Sequence, residues 1–246
     1  MQMELSERCE KHDRIKESVK MPFSNNYRYH CPDCGKDEEA SRIKFDEAER
    51  LREYQSAINS RVENSMIAPR FRTKTLDTYD ATLPGQKKAL EAARVFVETT
   101  PNSPGMLFIG GPGTGKNHLA AGIALELLQR GKTVIFTELL KAVRTIKESW
   151  KKEEDCESKI LKAFLLPDLL ILDEIGVQFQ SETERLYLTE IVNDRYNYLK
   201  PTILIGNLSV SELKIVIGER VLDRLREGGK IFMFDWESYR KFNHGL

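Results

Sequence analysis

Apolar residues follow two rhythms along this chain. From about residue 70 onward, short unbroken apolar runs alternate with longer stretches in which apolar residues recur every three or four positions. The runs are Met106-Leu107-Phe108-Ile109, Thr133-Val134-Ile135-Phe136, Pro167 to Glu174 with its core Leu169-Leu170-Ile171-Leu172, and Thr202-Ile203-Leu204-Ile205-Gly206-Asn207. Such runs predict buried strands. The stretches Gly85–Thr99, Leu119–Leu128 and Leu139–Trp150 predict helices, and Gly131 supplies a carboxyl-terminal cap to the second. Strands that alternate with helices, and are apolar on both sides, predict an α/β domain with a parallel sheet covered on both faces. Ligands of such sheets bind at the carboxyl ends of the strands.

Upstream the pattern changes. Phe45, Ala48, Leu51, Tyr54, Ile58 and Val62 are spaced by three and four in a charged background, one narrow stripe on a helix. The stripe either rests on a neighbouring surface, as a linker helix, or serves a coiled coil or partner. Ala68-Pro69-Arg70 breaks it. Residues 1–40 are polar. The expected division is a small module at 1–40, a linker helix at 41–68 and the α/β domain at 69–246.

Composition narrows the class. The 246 residues carry 38 basic and 38 acidic side chains, so no global field draws in nucleic acid and any such contact is a local patch. No apolar run approaches the roughly 20 residues of a membrane span, and no signal-peptide pattern opens the chain. The expectation is a cytoplasmic protein without a membrane partner, whose four cysteines serve metal or stand as plain thiols.

Candidate chemistry gathers at the strand ends. Gly110-Gly111-Pro112-Gly113-Thr114-Gly115-Lys116-Asn117-His118 lies between the first strand and the helix at Leu119. Its glycines let backbone N–H groups curl around phosphate oxygens, the helix amino terminus adds positive potential, and Lys116 adds a mobile charge. The expected ligand is a nucleoside triphosphate, ATP. Asn117 stands where a Ser or Thr hydroxyl usually meets Mg²⁺, and its side-chain carbonyl is an oxygen ligand of the kind a hard cation takes. Asp173 is placed to hold Mg²⁺ and Glu174 to orient or deprotonate the attacking water. Asn207 ends another strand, as either a γ-phosphate contact or a turn residue. Arg220 and Arg224 lie four apart on one helical face, as either a solvated face or a charge supplied to a neighbouring phosphate site.

At the amino terminus, Cys9-x2-His12 and Cys31-x2-Cys34 are two close pairs 18 residues apart. Together they complete a tetrahedral, structural Zn²⁺ site in a segment too small for a core of its own. Pro32 and Gly35 fit a knuckle turn, and His30 is an alternative ligand to His12.

The wording and order of Gly-x-Pro-Gly-Thr-Gly-Lys-Asn-His-Leu-Ala, Asp-Leu-Leu-x-Leu-Asp-Glu-Ile-Gly-Val-Gln, Gly-Glu-Arg-Val-x-Asp-Arg-Leu-Arg and Asp-Trp-Glu-Ser-Tyr-Arg resemble the AAA+ replicative-helicase loaders of the DnaC type, over about Phe71 to Arg240. The resemblance implies an AAA+ P-loop ATPase with Lys116 as Walker A lysine, Asp173 and Glu174 as Walker B, Asn207 as sensor 1, Arg224 (or Arg220) as arginine finger and Arg240 as sensor 2. It implies self-association with ATP at subunit boundaries. It also implies binding of single-stranded DNA through the helix before Walker B, at Lys141, Arg144, Lys147 and Trp150, and the loop after it, at Ser181. Trp150 stands where the family has an aromatic, though a packed indole is the competing reading. Thr183 replaces an aromatic of that loop, with Phe179 nearby. The implied partner is the hexameric, DnaB-like replicative DNA helicase, gripped by residues 1–65. A transposition helper ATPase on duplex DNA, or a non-hydrolysing helicase adaptor, are the alternatives.

Overall fold

A computed structural model describes residues 8–24, 26–100, 103, 105–149, 156–176, 182–227 and 229–239. Trp150, Phe179, Ser181 and Arg240 lie outside the described residues. The chain divides into two units, Met1–Ala57 and Ile58–Leu246.

The first unit holds an antiparallel hairpin, β1 (Glu17–Lys20) and β2 (Tyr27–His30), and most of the long helix α1 (Pro32–Asn64). The helix starts nine residues before the expected linker. Pro32 takes its first position, where a missing N–H costs nothing, and Gly35 lies in its first turn rather than in a knuckle. The apolar stripe of α1 divides. Phe45, Leu51 and Tyr54 are exposed, whereas Ile58 is buried and Val62 packs against the core of the second unit, to which both belong.

The second unit runs α2 (Pro84–Thr99), β3 (Gly105–Gly110), α3 (Lys116–Gln129), β4 (Val134–Glu138), α4 (Leu139–Ser149), α5 (Cys156–Leu165), β5 (Leu169–Ile175), α6 (Glu182–Asn197), β6 (Thr202–Gly206), α7 (Val210–Ile217), α8 (Glu219–Arg226) and β7 (Lys230–Phe234). The sheet is wholly parallel, in the order β4-β5-β6-β3-β7.

Its central strands are apolar throughout because each face meets a different helical layer. Met106, Phe108, Leu169, Ile171, Ile203 and Ile205 join a core with α2 and α3. The alternate residues Leu107, Ile109, Leu170, Leu172 and Leu204 join a second core with α4, α6 and α8. Gly131 caps α3 with a positive φ of 80°, as the spacing predicts. The N–H groups of Gly131 and Lys132 return to the carbonyls of Leu128 and Leu127 at 3.1 and 2.9 Å.

Arg195 of α6 is fully buried at the amino-terminal edge of the sheet, opposite the carboxyl ends of the strands. Its guanidinium makes five hydrogen bonds, to Thr202 Oγ1 and to the carbonyls of Phe164, Leu165, Pro167 and Pro201, at 2.7–3.1 Å. The side chain thus ties the end of α5 and the starts of β5 and β6 to one point.

Candidate nucleotide site and amino-terminal metal cluster

β3 ends at Gly110 and α3 begins at Lys116, so the glycine-rich loop turns at the carboxyl edge of the sheet. Gly115 initiates the helix with a φ of +95°. A Cβ there would come within 3.0 Å of the Tyr79 ring, so only glycine fits. Lys116 is 5% exposed. Its ammonium donates to the carbonyls of Gly110 and Gly111 at 2.7 and 2.6 Å, and Thr114 Oγ1 donates to Gly111 O at 2.9 Å. Burial pulls the Lys116 pKa down to about 8, opposed by the Asp173 carboxylate. An amine held this way gains charge stabilisation when a polyphosphate enters.

Asn117, on the first turn of α3, donates its side-chain amide to Asp173 Oδ2, and the backbone N–H of Glu174 donates to Asp173 Oδ1 at 2.7 Å. Helix and strand 56 residues apart thus meet at one carboxylate. With its amide committed to Asp173, Asn117 keeps its carbonyl for a cation. The β5–β6 register breaks between Leu172 and Ile175, and Glu174 sits there with a φ of +59°. A non-glycine residue in that region carries strain, here at the group expected to face water. Burial raises the Asp173 pKa. Glu174 is raised by burial first, then by the charges of Glu138 and Asp173, against the pull of Arg70. Glu138, aligned with Asp173 across β4 and β5, is an acid that the sequence reading missed. Its signal, an acid closing an apolar strand, was the same one that marked Asp173. A bound divalent cation neutralises such a group of acids.

The remaining predicted residues divide. Asn207 follows β6 at the same edge and is exposed. The His118 ring bonds to Thr75 O at 3.0 Å and Thr78 Oγ1 at 3.2 Å, and stands edge-on to Tyr79. Its Nε2 is therefore spent on the 75–79 loop, while its backbone N–H lies in the first turn of α3 beside the glycine loop. Tyr79 itself is buried, and its hydroxyl has no hydrogen-bond partner among the described residues. An orphaned hydroxyl beside the glycine loop is the kind of group a bound ligand satisfies.

The segment after β7, which carries the Asp-Trp-Glu-Ser-Tyr-Arg wording, contacts the glycine loop, and that contact is what sequence reasoning missed. Trp236 Nε1 donates to Thr114 O at 2.8 Å, Tyr239 N to Gly113 O at 3.0 Å and Tyr239 Oη to Asp80 O at 2.6 Å.

Arg224 stacks its guanidinium 4.4 Å over the Tyr196 ring and lies 3.5 Å from Glu227. Arg220 is exposed and has no ion pair among the described residues. On α4, Leu139, Ala142, Val143 and Ile146 enter the core, which leaves Lys141 and Arg144 exposed and Lys147 half-buried.

In the first unit, Cys9, His12, Cys31 and Cys34 place their ligand atoms within 4.8 Å of one another. His12 Nδ1 is 3.7, 3.7 and 3.4 Å from the sulfurs of Cys9, Cys31 and Cys34, and Cys9 and Cys34 are 3.5 Å apart. A tetrahedron with metal–sulfur bonds of about 2.3 Å has edges near 3.8 Å, so the cluster can hold a metal ion. His30 is elsewhere, bonded through Nδ1 to Glu17 O at 3.1 Å. The outer nitrogen of His12 meets Asp37 Oδ2 at 3.0 Å, and Lys11 holds the same oxygen at 2.5 Å.

No helix among the described residues is long and apolar enough to cross a membrane.

Comparison with known proteins agrees with this geometry. The family model of IstB-like ATP binding proteins matches residues 34–245. The replicative helicase loader DnaC of Escherichia coli strain K12 is 38% identical over 178 residues, which are 72% of this chain and 73% of that protein. The replicative helicase loader DnaC of Buchnera aphidicola subsp. Baizongia pistaciae is 35% identical over 70% of this chain and 71% of its own length. A crystal structure of the DnaC helicase loader superposes with a TM-score of 0.60 at 28% identity, covering 68% of this chain and 99% of that one. The chain belongs to the family of IstB-like ATP binding proteins, as a P-loop ATPase of the AAA+ fold related to the replicative helicase loaders.

Proposed function

We propose that this protein is an ATP-dependent loader of a replicative DNA helicase. The observation that carries the ATPase part is the meeting of Asn117 and Asp173 beside Lys116, two halves of one phosphate and metal site. In this reading ATP lies along Gly110–His118, Mg²⁺ is held by the Asn117 carbonyl and the Asp173 carboxylate, and Glu174 activates water. Mg²⁺ supplies charge neutralisation at the phosphates. Asn207 and Arg240 sense the γ-phosphate, and an arginine from a neighbouring copy completes the site. Of the pair, Arg220 reaches a neighbour with no ion pair to break, whereas Arg224 has to leave Tyr196 and Glu227. Single-stranded DNA runs along Lys141, Arg144 and Lys147 of α4, with Trp150 and Ser181 as further contacts.

The amino-terminal cluster holds Zn²⁺ as a closed structural site, and Asp37 fixes the imidazole of His12 from behind. Asp37→Asn is expected to weaken zinc binding about 10–100-fold in a chelator competition, with the fold of the ATPase unit unchanged. The exposed apolar residues Phe45, Leu51 and Tyr54 of α1 are offered to the helicase, a segment of roughly 1–65 being the grip.

Size-exclusion of the protein with the hexameric replicative helicase and ATP tests the reading. The expected result is a complex that disappears when residues 1–65 are removed. An intact, zinc-loaded protein that forms no complex, and prefers duplex to single-stranded DNA, is instead a transposition helper.

A further inference from the structure

The hairpin of the first unit is solvent-exposed along its whole length, on both strands. A two-stranded ribbon with no buried face contributes no core, so its side chains need another explanation. Its register pairs Lys20 with Tyr27 and Ser18 with Tyr29, and the intervening pairs are Val19 with Arg28 and Glu17 with His30. Directly paired residues share a face, and successive residues alternate faces. One face therefore presents Ser18, Lys20, Tyr27 and Tyr29, with neither an acid nor an aliphatic side chain.

Tyr27 and Tyr29 are 59% and 51% exposed, and lie about 7 Å apart along the strand. At the tip, Phe23 is fully exposed, with its backbone at a φ of +63°. Lys20 shares the face with the two tyrosines, Arg28 lies between them on the opposite face, and Arg14 is tied to Asp33 at 3.0 Å. Open aromatic rings at strand spacing, with a cation directly across from one of them, match a single-stranded nucleic acid. Rings stack on bases of any identity, and cations follow the phosphates.

We propose that the Tyr27/Tyr29 face of the β1–β2 hairpin is a binding surface for single-stranded DNA, held by base stacking and by Lys20. The proposal rests on the reading that the protein works on single strands, and it extends that role to the amino-terminal unit. The helicase is left to the exposed apolar residues of α1.

The test is fluorescence anisotropy of a labelled oligothymidine with the full-length, zinc-loaded protein. Tyr27→Ala combined with Tyr29→Ala weakens binding about tenfold or more, and the corresponding double Phe variant stays within about twofold of the parent, since the ring does the binding. Lys20→Gln flattens the dependence of log affinity on log salt by about 0.7. In the unmodified protein, an iododeoxyuridine oligonucleotide cross-links to the peptides that carry Tyr27 and Tyr29.

Binding by the alanine variant equal to the parent's overturns the proposal, as do cross-links confined to the ATPase unit. So does an alanine variant that keeps its DNA affinity and loses the helicase, which makes the face a protein contact. A parent that cross-links through the hairpin yet never co-elutes with a replicative helicase upholds this proposal and defeats the loader assignment.

Discussion

Glu174→Gln lowers the maximal rate of ATP hydrolysis by about 10²–10⁴-fold while nucleotide affinity stays within about twofold. The asymmetry follows from position. Glu174 is exposed at the strand end, whereas Lys116 is buried within the glycine loop, where in the proposed reading it and the loop backbone take the phosphates. Glutamine preserves size and the N–H bond to Asp173 but accepts no proton. A steady-state phosphate-release assay beside a fluorescent-nucleotide titration separates the two effects. A variant that loses rate and affinity equally shows Glu174 to be a binding group, not a base.

The acids around Glu174 also set a pH signature. Burial, Glu138 and Asp173 hold its pKa above the usual carboxylate range, so the base becomes protonated earlier as pH falls. The acid limb of the parent's kcat/KM profile, which reports the free enzyme, accordingly breaks above that range, and Glu138→Gln moves the break to lower pH.

Arg195→Met is the change expected to cost most stability. Methionine fills much of the space but leaves the carbonyls of Phe164, Leu165 and Pro167 without their donor, whereas Pro201 O keeps the N–H of Leu170 at 3.3 Å. Each unsatisfied group costs about 1–3 kcal/mol, and partial rearrangement leaves a net loss of at least about 3 kcal/mol. For a unit of this size, that corresponds to a fall in melting temperature of roughly 6–12 °C. Lysine in the same place retains charge but not the fork that reaches five acceptors, so Arg195→Lys recovers little. Thermal unfolding followed by circular dichroism checks both. A shift of under about 2 °C in the Met variant means that water enters and replaces the guanidinium.

The parallel core was legible because its strands are covered on both faces. Leu107 and Phe108 face opposite layers, and the sequence must be apolar at both. β7 was not, since it is an edge strand in which Phe234 alone is buried. Nor was the hairpin, which buries no residue of either strand. Both lack the burial that writes a pattern into sequence.

At the site, the glycine loop, Asp173 and Glu174 were readable because their chemistry is local to short motifs. The Asn117–Asp173 bond, Tyr79 and the Trp236 contact were not, because each joins positions far apart in the chain. His118 shows the limit of motif reading: it lies inside the phosphate-loop wording, yet its ring serves the 75–79 loop.

The segment that closes the described chain sets a length constraint. Phe234 pairs with Gly110 at the entrance of the glycine loop, and Tyr239, five residues on, hydrogen-bonds Gly113 at its crest. One stretch of backbone thus gauges the loop from outside, like a ruler laid against it. Most surface connections absorb an inserted or deleted residue at little cost. This one does not: a change in length between Phe234 and Tyr239 displaces one contact or the other and alters the curvature offered to phosphate. Where substitutions on this surface are tolerated, changes of spacing are not, and variation among functional homologues is expected to respect that count.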